Sequence, residues 1–553
     1  MPYVKPGVEI QQVERSTSPV LITPELEAII LGTPYFYQSP YSDDSKCSGK
    51  LVIDSLDTDG TDATFDITTV GAGASNATDG TAIVEASIVV DLVCTKGANV
   101  GRRFHADDAD FSITGTTITV EQTANGVAYD AGITFADEDE FDVYVGFIAE
   151  KSSGIGHNTM ESISDITQFL GAPKTFNPLG YGAMVAMLNS GAQMKTFGHV
   201  GSEDSYEHVD DLDMIDIYSI AGMCGDDYTT SIPAWKAHVN AQSLPTAKHE
   251  RIVFVNPEDT NSIKEGLTST TRGTSASTIQ QANAAVGSKR VFSIHPDRGY
   301  VLESRHVSTL KSAWIVGSFA SSVTGTIATG IHDVPMTASQ IITTDGVKYP
   351  AGTKLTSTVW NALVKDGWGE QGEVNVYVPV PGYYYSAAAA GATIGVPVQQ
   401  PLTYYALGGV SQTYGGLDMF TEVNLNTMAE GGTFIVVQDT PNSPIYVRHQ
   451  LSTDVTTIER KELSITKQVD YAAKYMRKTL TKYAGKFNIT PKFLKLVTAN
   501  LNGVGADLVR NGQVAAVDVV TVYQDDISPD TVRAEVVLTV KYPANYIKVR
   551  LIV

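Results

Sequence analysis

Cysteine is scarce in this sequence. Three cysteines occur among 553 residues, Cys47, Cys94 and Cys224, and they lie far apart. They form no C-x-x-C pair, the usual spacing for metal binding or redox chemistry, and no even-numbered disulfide framework. The sequence therefore favours a protein of a reducing compartment.

Basic residues are in deficit, and long apolar runs are missing. Lysine and arginine number 39 against 61 acidic residues, a formal net charge of −22. A protein that mainly neutralises phosphate groups or anionic lipid carries the opposite balance. The longest small-apolar stretch, 387–398, spans about 12 residues and contains Pro397, and the first residues hold no apolar core of signal-peptide length. We expect no direct nucleic-acid partner, no stable membrane insertion and no visible export signal.

Catalytic and metal-binding motifs are missing as well. The sequence has no G-x-x-x-x-G-K phosphate loop, no G-x-S-x-G elbow and no H-E-x-x-H pair. The oxygen-rich stretch 57–62 lacks the ligand spacing and the closing glutamate of an EF-hand, and it is predicted to be a solvated turn. The ten histidines are scattered without metal-ligand spacing. We predict that the chain is not an enzyme and has no catalytic residues, cofactor or metal.

Charge is distributed unevenly along the chain. Residues 41–150 contain 21 acidic and 5 basic residues, a net of −16, and read as short strands separated by Asp-Gly and Asn-Gly turns. Residues 460–500 contain 10 basic and 2 acidic residues, a net of +8. The acidity of 41–150 is interpreted as keeping a projecting surface soluble, with ligand or receptor binding as the alternative.

Composition and length predict a folded, multidomain protein. Hydrophobic residues make up 42% of the 553, and this length suits three to four domains. The fold class is predicted to be α/β and α+β, with nested domains, an inserted all-β domain and an α+β C-terminal domain completed by terminal strand arms. The predicted divisions are an N-terminal strand arm (1–20), a middle α/β domain (21–40 with 151–395), an inserted acidic β-rich domain (41–150) and a C-terminal α+β domain (396–553).

Both ends of the sequence read as strands. Ile547, Val549, Leu551 and Val553 fall on one face of an extended segment, and Val8, Ile10 and Val13 punctuate another. These segments either complete the sheets of their own subunit or add a strand to the sheet of a neighbour. In the second case an arm at each end makes a head-to-tail contact, which builds rings or helical lattices.

The basic segment contains an amphipathic helix. On a helical wheel over 467–483, one side is apolar, while Lys467, Lys474, Lys478 and Lys482 form a stripe on the opposite side. Lys474, Lys478 and Lys482 follow one another at intervals of four residues, and like charges at this spacing repel slightly along a helix. The stripe is therefore either a solvated face or the docking surface for an acidic partner. Thr490 is predicted to cap a further helix with Pro491 at its first position.

Several motifs together resemble one known family. They are Pro6-Gly7-Val8-Glu9-Ile10, Ala28-Ile29-Ile30-Leu31-Gly32-Thr33, Pro381-Gly382-Tyr383-Tyr384, the small-residue stretch 387–391, Pro397-Val398-Gln399-Gln400-Pro401-Leu402-Thr403, Leu425-Asn426, Gly431-Gly432-Thr433-Phe434-Ile435-Val436-Val437, 445–451 with Arg448 and His449, and Tyr542-Pro543-Ala544-Asn545-Tyr546-Ile547. In these stretches the sequence resembles the tail sheath proteins of contractile-tailed bacteriophages. The match covers both ends and most of 380–553, extends loosely over 151–380 and leaves 41–150 unmatched.

The resemblance implies a structural role in a virion. Sheath subunits stack as hexameric rings in a helical assembly around a tail tube, and their terminal arms exchange strands with neighbouring subunits. Contraction drives the tube through the host envelope for genome ejection. The implied partners are other copies of the chain, the tail tube protein, and baseplate and tail terminator proteins. The basic helix would face the tube, and assembly would take place in the host cytoplasm.

Two alternatives stand beside the phage tail sheath. One is the sheath of a related contractile injection system that is not a phage, which the same motifs fit. The other is an adhesin-type surface protein that binds through the acidic β-rich segment 41–150. Deletion of that segment separates the classes, since a sheath subunit would still polymerise and an adhesin would lose its activity.

Overall fold

The structure of the chain is a computed structural model. It describes residues 23–32, 156–198 (without 172, 176 and 192–193), 205–257, 269–306, 373–413, 420–440, 443–545, 547, 549 and 550. It also describes the strand backbones of 51–52, 62–67, 88–96, 103–106, 111–114, 117–121, 140–147, 340–342 and 348–350.

Within these ranges the chain forms strands and helices in mixed order. The strands are β1 Ala28–Gly32, β2 Leu51–Val52, β3 Asp62–Ile67, β4 Ile88–Lys96, β5 Arg103–Ala106, β6 Phe111–Thr114, β7 Thr117–Glu121, β8 Glu140–Phe147, β9 Gly156–Met160, β10 Met194–Gly198, β11 Ser219–Gly222, β12 Ile252–Val255, β13 Val291–His295, β14 Arg298–His306, β15 Gln340–Ile342, β16 Lys348–Pro350, β17 Glu373–Pro381, β18 Ala406–Leu407, β19 Gln412–Thr413, β20 Thr433–Val437, β21 Ile445–His449, β22 Ala516–Gln524 and β23 Val532–Thr539. The α-helices are α1 Ile163–Leu170, α2 Pro178–Ser190, α3 Ser231–Gln242, α4 Ser269–Val286, α5 Tyr383–Gly395, α6 Glu422–Glu430, α7 Ile458–Lys461, α8 Leu463–Thr481 and α9 Pro491–Arg510, and a 3₁₀ helix spans Ser205–Leu212.

The chain divides into two compact units. The smaller unit comprises Met1–Leu26, Pro397–Pro401 and Leu463–Val553, and the larger comprises Glu27–Val396 and Leu402–Glu462. Residues 402–462 lie in the larger unit, where β20 pairs in parallel with β13, and Thr23 to Leu26 lie in the smaller unit. The division into domains given by the sequence stays a prediction.

The larger unit is built on a nine-stranded sheet with the order β18-β21-β20-β13-β12-β11-β1-β10-β9. The six strands from β20 to β10 are parallel, and β9, β21 and β18 add antiparallel edges. The strand sequences AIILG, IVFV and VFSIH are buried along their whole length. Continuous apolar runs are typical of parallel strands that are covered on both faces. The α/β fold class predicted from the sequence is therefore confirmed.

Two helices of the larger unit pack closely through small residues. α5 contains Ala387 to Gly391 and is buried along most of its length. A Cβ atom on Gly391 would lie 2.1 Å from the carbonyl oxygen of Ala186 in α2, and one on Gly395 would lie 2.7 Å from the carbonyl oxygen of Asn189. The small-residue stretch 387–391 thus lies within a buried helix, and the glycines of α5 allow close backbone approach.

The strands between 51 and 147 pair among themselves. They form a four-stranded sheet, β2-β3-β7-β6, and a three-stranded sheet, β5-β4-β8, in which all pairs are antiparallel. Among the described strands, none from this segment joins the nine-stranded sheet. A further five-stranded sheet has the order β16-β15-β17-β14-β19. The β-rich character predicted for 41–150 agrees with these pairings, and its role as a projecting insertion stays a prediction.

The smaller unit contains α8, α9 and the hairpin of β22 and β23. Its core includes Val398, Tyr471, Ala472, Tyr475, Val504, Leu508 and Val514, with Leu26, Met476, Val517 and Leu538 packed against them. Thr490 caps α9 by accepting a hydrogen bond from the Phe493 amide at 3.2 Å, with Pro491 in the first turn, as predicted. Through the described parts of the chain, no helix combines the length and apolar character needed to cross a bilayer.

Candidate functional site

The connection between α8 and α9, together with the start of α9, carries a basic and aromatic surface, here called the basic turn: Lys482, Tyr483, Lys486, Phe487, Lys492, Phe493 and Lys495. The Phe487 ring is stacked on Phe493 with centroids 5.9 Å apart, and it lies 6.0 Å from Tyr483. The Lys482 Nζ atom lies 4.9 Å from the centre of the Tyr483 ring. Phe487 is 55% exposed, and Lys486, Lys492 and Lys495 are exposed. Ring packing therefore orders a turn that presents positive charge to its surroundings.

The four lysines predicted to form one stripe on α8 lie in different environments. Lys467 and Lys474 are buried, with 2% and 6% exposure, whereas Val469 from the predicted apolar side is 40% exposed. Lys478 is exposed and donates a hydrogen bond to the Thr23 carbonyl at 3.2 Å. The helical wheel predicts that all four lysines face one partner. This prediction is corrected, because the side of α8 that carries the lysines is covered in the first half of the helix. Lys478 and Lys482 remain accessible.

Lys467 is a buried amine in the smaller unit. Its Nζ donates to the Pro397 carbonyl at 3.4 Å, and burial lowers the pKa of this amine to about 7. Burial disfavours the ammonium form because it removes the charge from water. The unfolded chain keeps the proton up to about pH 10.5, so between pH 7 and 10.5 the unfolded state binds more protons and stability rises with pH.

We therefore expect Lys467→Met to stabilise the smaller unit most at pH 6–7, by roughly 1–3 kcal/mol, with the advantage shrinking towards pH 10. The sequence ranges of the smaller unit contain no tryptophan, so fluorescence does not report on its unfolding. Urea-dependent hydrogen exchange of α8 amides at pH 6.5, 8 and 9.5 is consequently the suitable measurement. An advantage of equal size at each pH would contradict the prediction.

The hairpin of β22 and β23 presents two sheet edges. These strands pair only with each other among the described strands, and the register shifts between Val519 and Thr521. One face packs on α9, where a Cβ on Gly505 would lie 2.9 Å from Val517 Cβ. On the hairpin, Val520 is 61% exposed and Val537 52% exposed. A two-stranded sheet with open edges and exposed apolar side chains is a natural acceptor for further strands.

The turn of this hairpin is rigidly held. Asp525 accepts a hydrogen bond from the Ile527 amide at 2.9 Å and pairs with the Arg533 guanidinium, and these bonds hold the pKa of Asp525 below its ordinary value. The Asp525 amide donates to the Thr531 carbonyl at 2.9 Å. Ile527 at the tip is 89% exposed. The strand edges therefore end in a defined turn.

The predicted arm residues are described only in part. Ile547 and Val549 are 84% and 79% exposed. Leu551 and Val553 lie outside the described residues, and so do Val8, Ile10 and Val13 of the N-terminal arm. Strand exchange by either arm stays a prediction.

Residues that hold the segments next to the arms are evident in the structure but were not predicted from the sequence. Gln468 on α8 binds the backbone of Lys541, and Leu26 packs in the core of the smaller unit. The sequence offers one indication, a polar glutamine within a helix. The residue to which Gln468 binds is evident only in the folded chain.

One cluster of potential metal ligands lies in the larger unit. Ligand atoms of Asp210, Asp213 and His238 lie within 4.8 Å of one another. Arg251 Nη1 lies 3.1 Å from His238 Nε2, and burial and Arg251 lower the pKa of His238 to about 4. Because a guanidinium only donates, Nε2 accepts and the ring proton sits on Nδ1, which faces Asp213 at 3.6 Å. The cluster is arranged for hydrogen bonding rather than for holding a cation.

The carboxyl edge of the parallel strands is where ligands bind in open α/β sheets. Here Asp226 is buried, accepts hydrogen bonds from Trp235 Nε1 at 3.0 Å and from the Asn256 amide at 2.9 Å, and has a pKa raised by burial to about 7. The start of α5 lies against the same edge, since a Cβ on Gly382 would lie 2.5 Å from Asn256 Oδ1. At these residues the start of α5 therefore approaches the carboxyl edge of the sheet closely.

No model of a protein family matches the sequence, and no curated protein matches it. Solved structures do match. The helical sheath of the anti-feeding prophage in its contracted state is 13% identical with a TM-score of 0.44, and the match covers 73% of this chain and 89% of that chain. The sheath tail proteins of Desulfitobacterium hafniense and Listeria innocua are 11% and 8% identical with TM-scores of 0.35 and 0.33, covering 94% and 92% of this chain and 97% and 89% of theirs.

The matching structures are contractile sheath proteins. This is the class of protein that the sequence resembles.

Proposed function

We propose that the chain is a structural, non-catalytic subunit of a contractile phage tail sheath. It polymerises as stacked hexameric rings around a tail tube and contracts to drive the tube through the host envelope. The observation that carries the proposal is the hairpin of β22 and β23, whose edges are open among the described strands, in the same unit as the exposed residues Ile547 and Val549. The sequence motifs that resemble sheath proteins support it independently.

The proposed lattice contact is strand addition. Each edge of the hairpin presents backbone N–H and C=O groups that a further strand can pair with. The C-terminal arm, 546–553, alternates apolar and basic residues, which suits a strand that buries one face against Val520 and Val537 of a neighbour's hairpin. Because donor and acceptor surfaces differ, the contact is heterologous and propagates from subunit to subunit, which builds rings and helical tubes.

Contraction follows from the energetics of such a lattice. Many modest interfaces can hold a metastable extended state, and their cooperative rearrangement releases free energy without nucleotide hydrolysis. Arms joined by backbone hydrogen bonds keep neighbouring subunits connected while their folded units rotate as rigid bodies. Baseplate and tail terminator proteins would cap the two ends of the tube, and the assembled particle would be the virion, built in the host cytoplasm.

The basic turn is proposed to face the tail tube. Its lysines concentrate positive charge in a protein of net charge −22, and the aromatic stack holds them in place. An acidic tube surface would attract this turn, and such attraction contributes specificity and orientation more than raw affinity. The acidic segment 41–150 would lie on the outside, where like charge limits contact between particles.

Charge reversal tests this assignment. We expect Lys486→Glu with Lys492→Glu to weaken binding to the purified tail tube protein at least tenfold at low salt, and less at high salt, because exposed charges are screened. The control is Lys174→Glu with Lys248→Glu, which changes the net charge equally on exposed lysines of the larger unit. Cosedimentation at several salt concentrations measures both. Equal binding by the two variants would remove the basic turn from the tube interface.

The proposed function itself is tested by polymerisation. Light scattering of the purified chain should rise only above a threshold concentration, as expected for a cooperative helical assembly. The variant lacking 41–150 should keep this behaviour. Failure of the full-length chain to polymerise would contradict the proposed function and leave the adhesin-type alternative, in which the acidic segment is the working part.

A further inference from the structure

The side chain of Gln468 on α8 forms two hydrogen bonds with the backbone of one residue. Its Nε2 atom donates to the Lys541 carbonyl at 3.0 Å, and its Oε1 atom accepts from the Lys541 amide at 2.8 Å. The amide group thus pairs with Lys541 as a neighbouring strand would. Gln468 is fully buried and its Nε2 also donates to the Ser464 carbonyl at 3.1 Å, so its position is fixed from within the helix.

Lys541 lies between the hairpin and the C-terminal arm. β23 ends at Thr539, whose carbonyl accepts from the Ala515 amide at 2.8 Å. Beyond Lys541 the described residues are largely exposed, with Tyr542 at 54%, Ile547 at 84% and Val549 at 79%. Gln468 therefore holds the backbone at Lys541, between the end of β23 and the exposed residues Ile547 and Val549 of the C-terminal arm.

The same helix holds the segment that follows the N-terminal arm. Lys478 donates to the Thr23 carbonyl at 3.2 Å. Leu26 packs against the core cluster that contains Tyr471 and Tyr475 of α8. Tyr475 in turn donates to Asp507 Oδ2 on α9 at 2.8 Å, which fixes α8 within the unit.

We propose that α8 is a common anchor for both arms, with Gln468 positioning the C-terminal arm and Lys478 together with Leu26 positioning the N-terminal one. The inference rests on the proposed function, since it assigns a role to α8 in strand exchange. A displacement imposed on one arm by a neighbouring subunit passes into α8 and from there to the other arm. The sequence predicts that α8 docks on the tube. In this proposal the main role of α8 is to connect two inter-subunit contacts.

The anchor is tested on the unassembled subunit by hydrogen exchange. Gln468→Met keeps the length and bulk of the side chain and removes both hydrogen bonds to Lys541. We expect the Lys541 amide to exchange roughly tenfold faster or more, because Gln468 supplies its hydrogen bond, while the amides of 23–26 and of α9 keep their rates. Unchanged exchange at Lys541 would overturn the anchor.

A second variant separates the two hydrogen bonds. Gln468→Glu keeps an oxygen that accepts from the Lys541 amide but has no donor for its carbonyl, so exchange at Lys541 should rise less than in Gln468→Met. The control is Gln524→Met at the hairpin tip, where the Gln524 side chain donates to the Pro529 carbonyl. This control should leave Lys541 unchanged. Faster exchange throughout α8 in Gln468→Met would mean general loosening of the helix and would overturn the specific role of Gln468.

Polymerisation then tests the functional half of the inference. The threshold concentration for assembly should rise severalfold in Gln468→Met and in Lys478→Met, and remain at the wild-type value in Gln524→Met. If Lys541 exchanges faster but assembly thresholds stay the same, the anchor exists and plays no part in assembly, which overturns the inference. If the wild-type chain itself does not polymerise, the proposed function fails while the exchange result on the anchor stands.

Discussion

Removal of residues 546–553 is expected to abolish polymerisation while leaving the subunit folded. The described residues of this segment, Ile547, Val549 and Arg550, are exposed, so their loss removes little buried surface from the smaller unit. The hairpin that would receive a neighbour's arm is unchanged, but no strand remains to occupy it. Removal of residues 1–14 should have the same effect through the other arm. Sedimentation velocity measures the assembly state, and circular dichroism checks the fold.

A full-length variant makes this test independent of chain length. Ile547→Lys with Val549→Lys places charge on the face that would be buried in the neighbour, and should prevent assembly as the truncation does. Arg550→Gln, on the opposite face of the arm, should assemble at nearly the wild-type concentration. Normal tubes from the truncated chain would contradict strand exchange by the C-terminal arm.

Gly391→Ala is expected to destabilise the larger unit by about 3 kcal/mol or more. The added Cβ would lie 2.1 Å from the Ala186 carbonyl oxygen and 2.7 Å from its carbonyl carbon, both backbone atoms of α2. A backbone cannot move aside as the end of a long side chain can, so the two helices must separate or distort. Urea unfolding followed by tryptophan fluorescence reports this, because Trp235 is buried in the larger unit and the sequence ranges of the smaller unit contain no tryptophan.

Gly273→Ala is the matched control for this substitution. Gly273 lies in α4, where the nearest atom to an added Cβ is Asn424 Nδ2 at 4.0 Å. Alanine there should leave stability unchanged or raise it by up to about 1 kcal/mol, since alanine favours helix over glycine. A Gly391→Ala variant within 1 kcal/mol of the wild type would show that α2 and α5 pack less closely than the structure indicates.

The parallel sheet was predictable because its strands leave a local signal. Residues 28–33 and 251–255 are short apolar runs of the kind that both-face burial requires, and both contain strands of the nine-stranded sheet. The pairing of β20 with β13 was not predictable in the same way, since it joins segments about 140 residues apart in the sequence. That pairing joins β20 to the sheet of the larger unit.

The basic helix shows where a helical wheel fails. A wheel assumes solvent on the side opposite the apolar one, which would expose Lys467 and Lys474. In the structure that part of α8 is enclosed, with the Lys467 amine within hydrogen-bond distance of the Pro397 carbonyl. The wheel located the helix correctly but assigned two of its four lysines to the wrong environment. The reason is that charge alone gives no information about which backbone segments cover a helix.

Sheath assembly is tested most directly by negative-stain electron microscopy of the purified full-length chain, concentrated in low-salt and high-salt buffer. A sheath subunit should form hollow, transversely striated tubes with sixfold symmetry in end-on views, and the variant lacking 546–553 should form none. Discrete monomers or small closed oligomers of the full-length chain at every concentration and salt condition would contradict it.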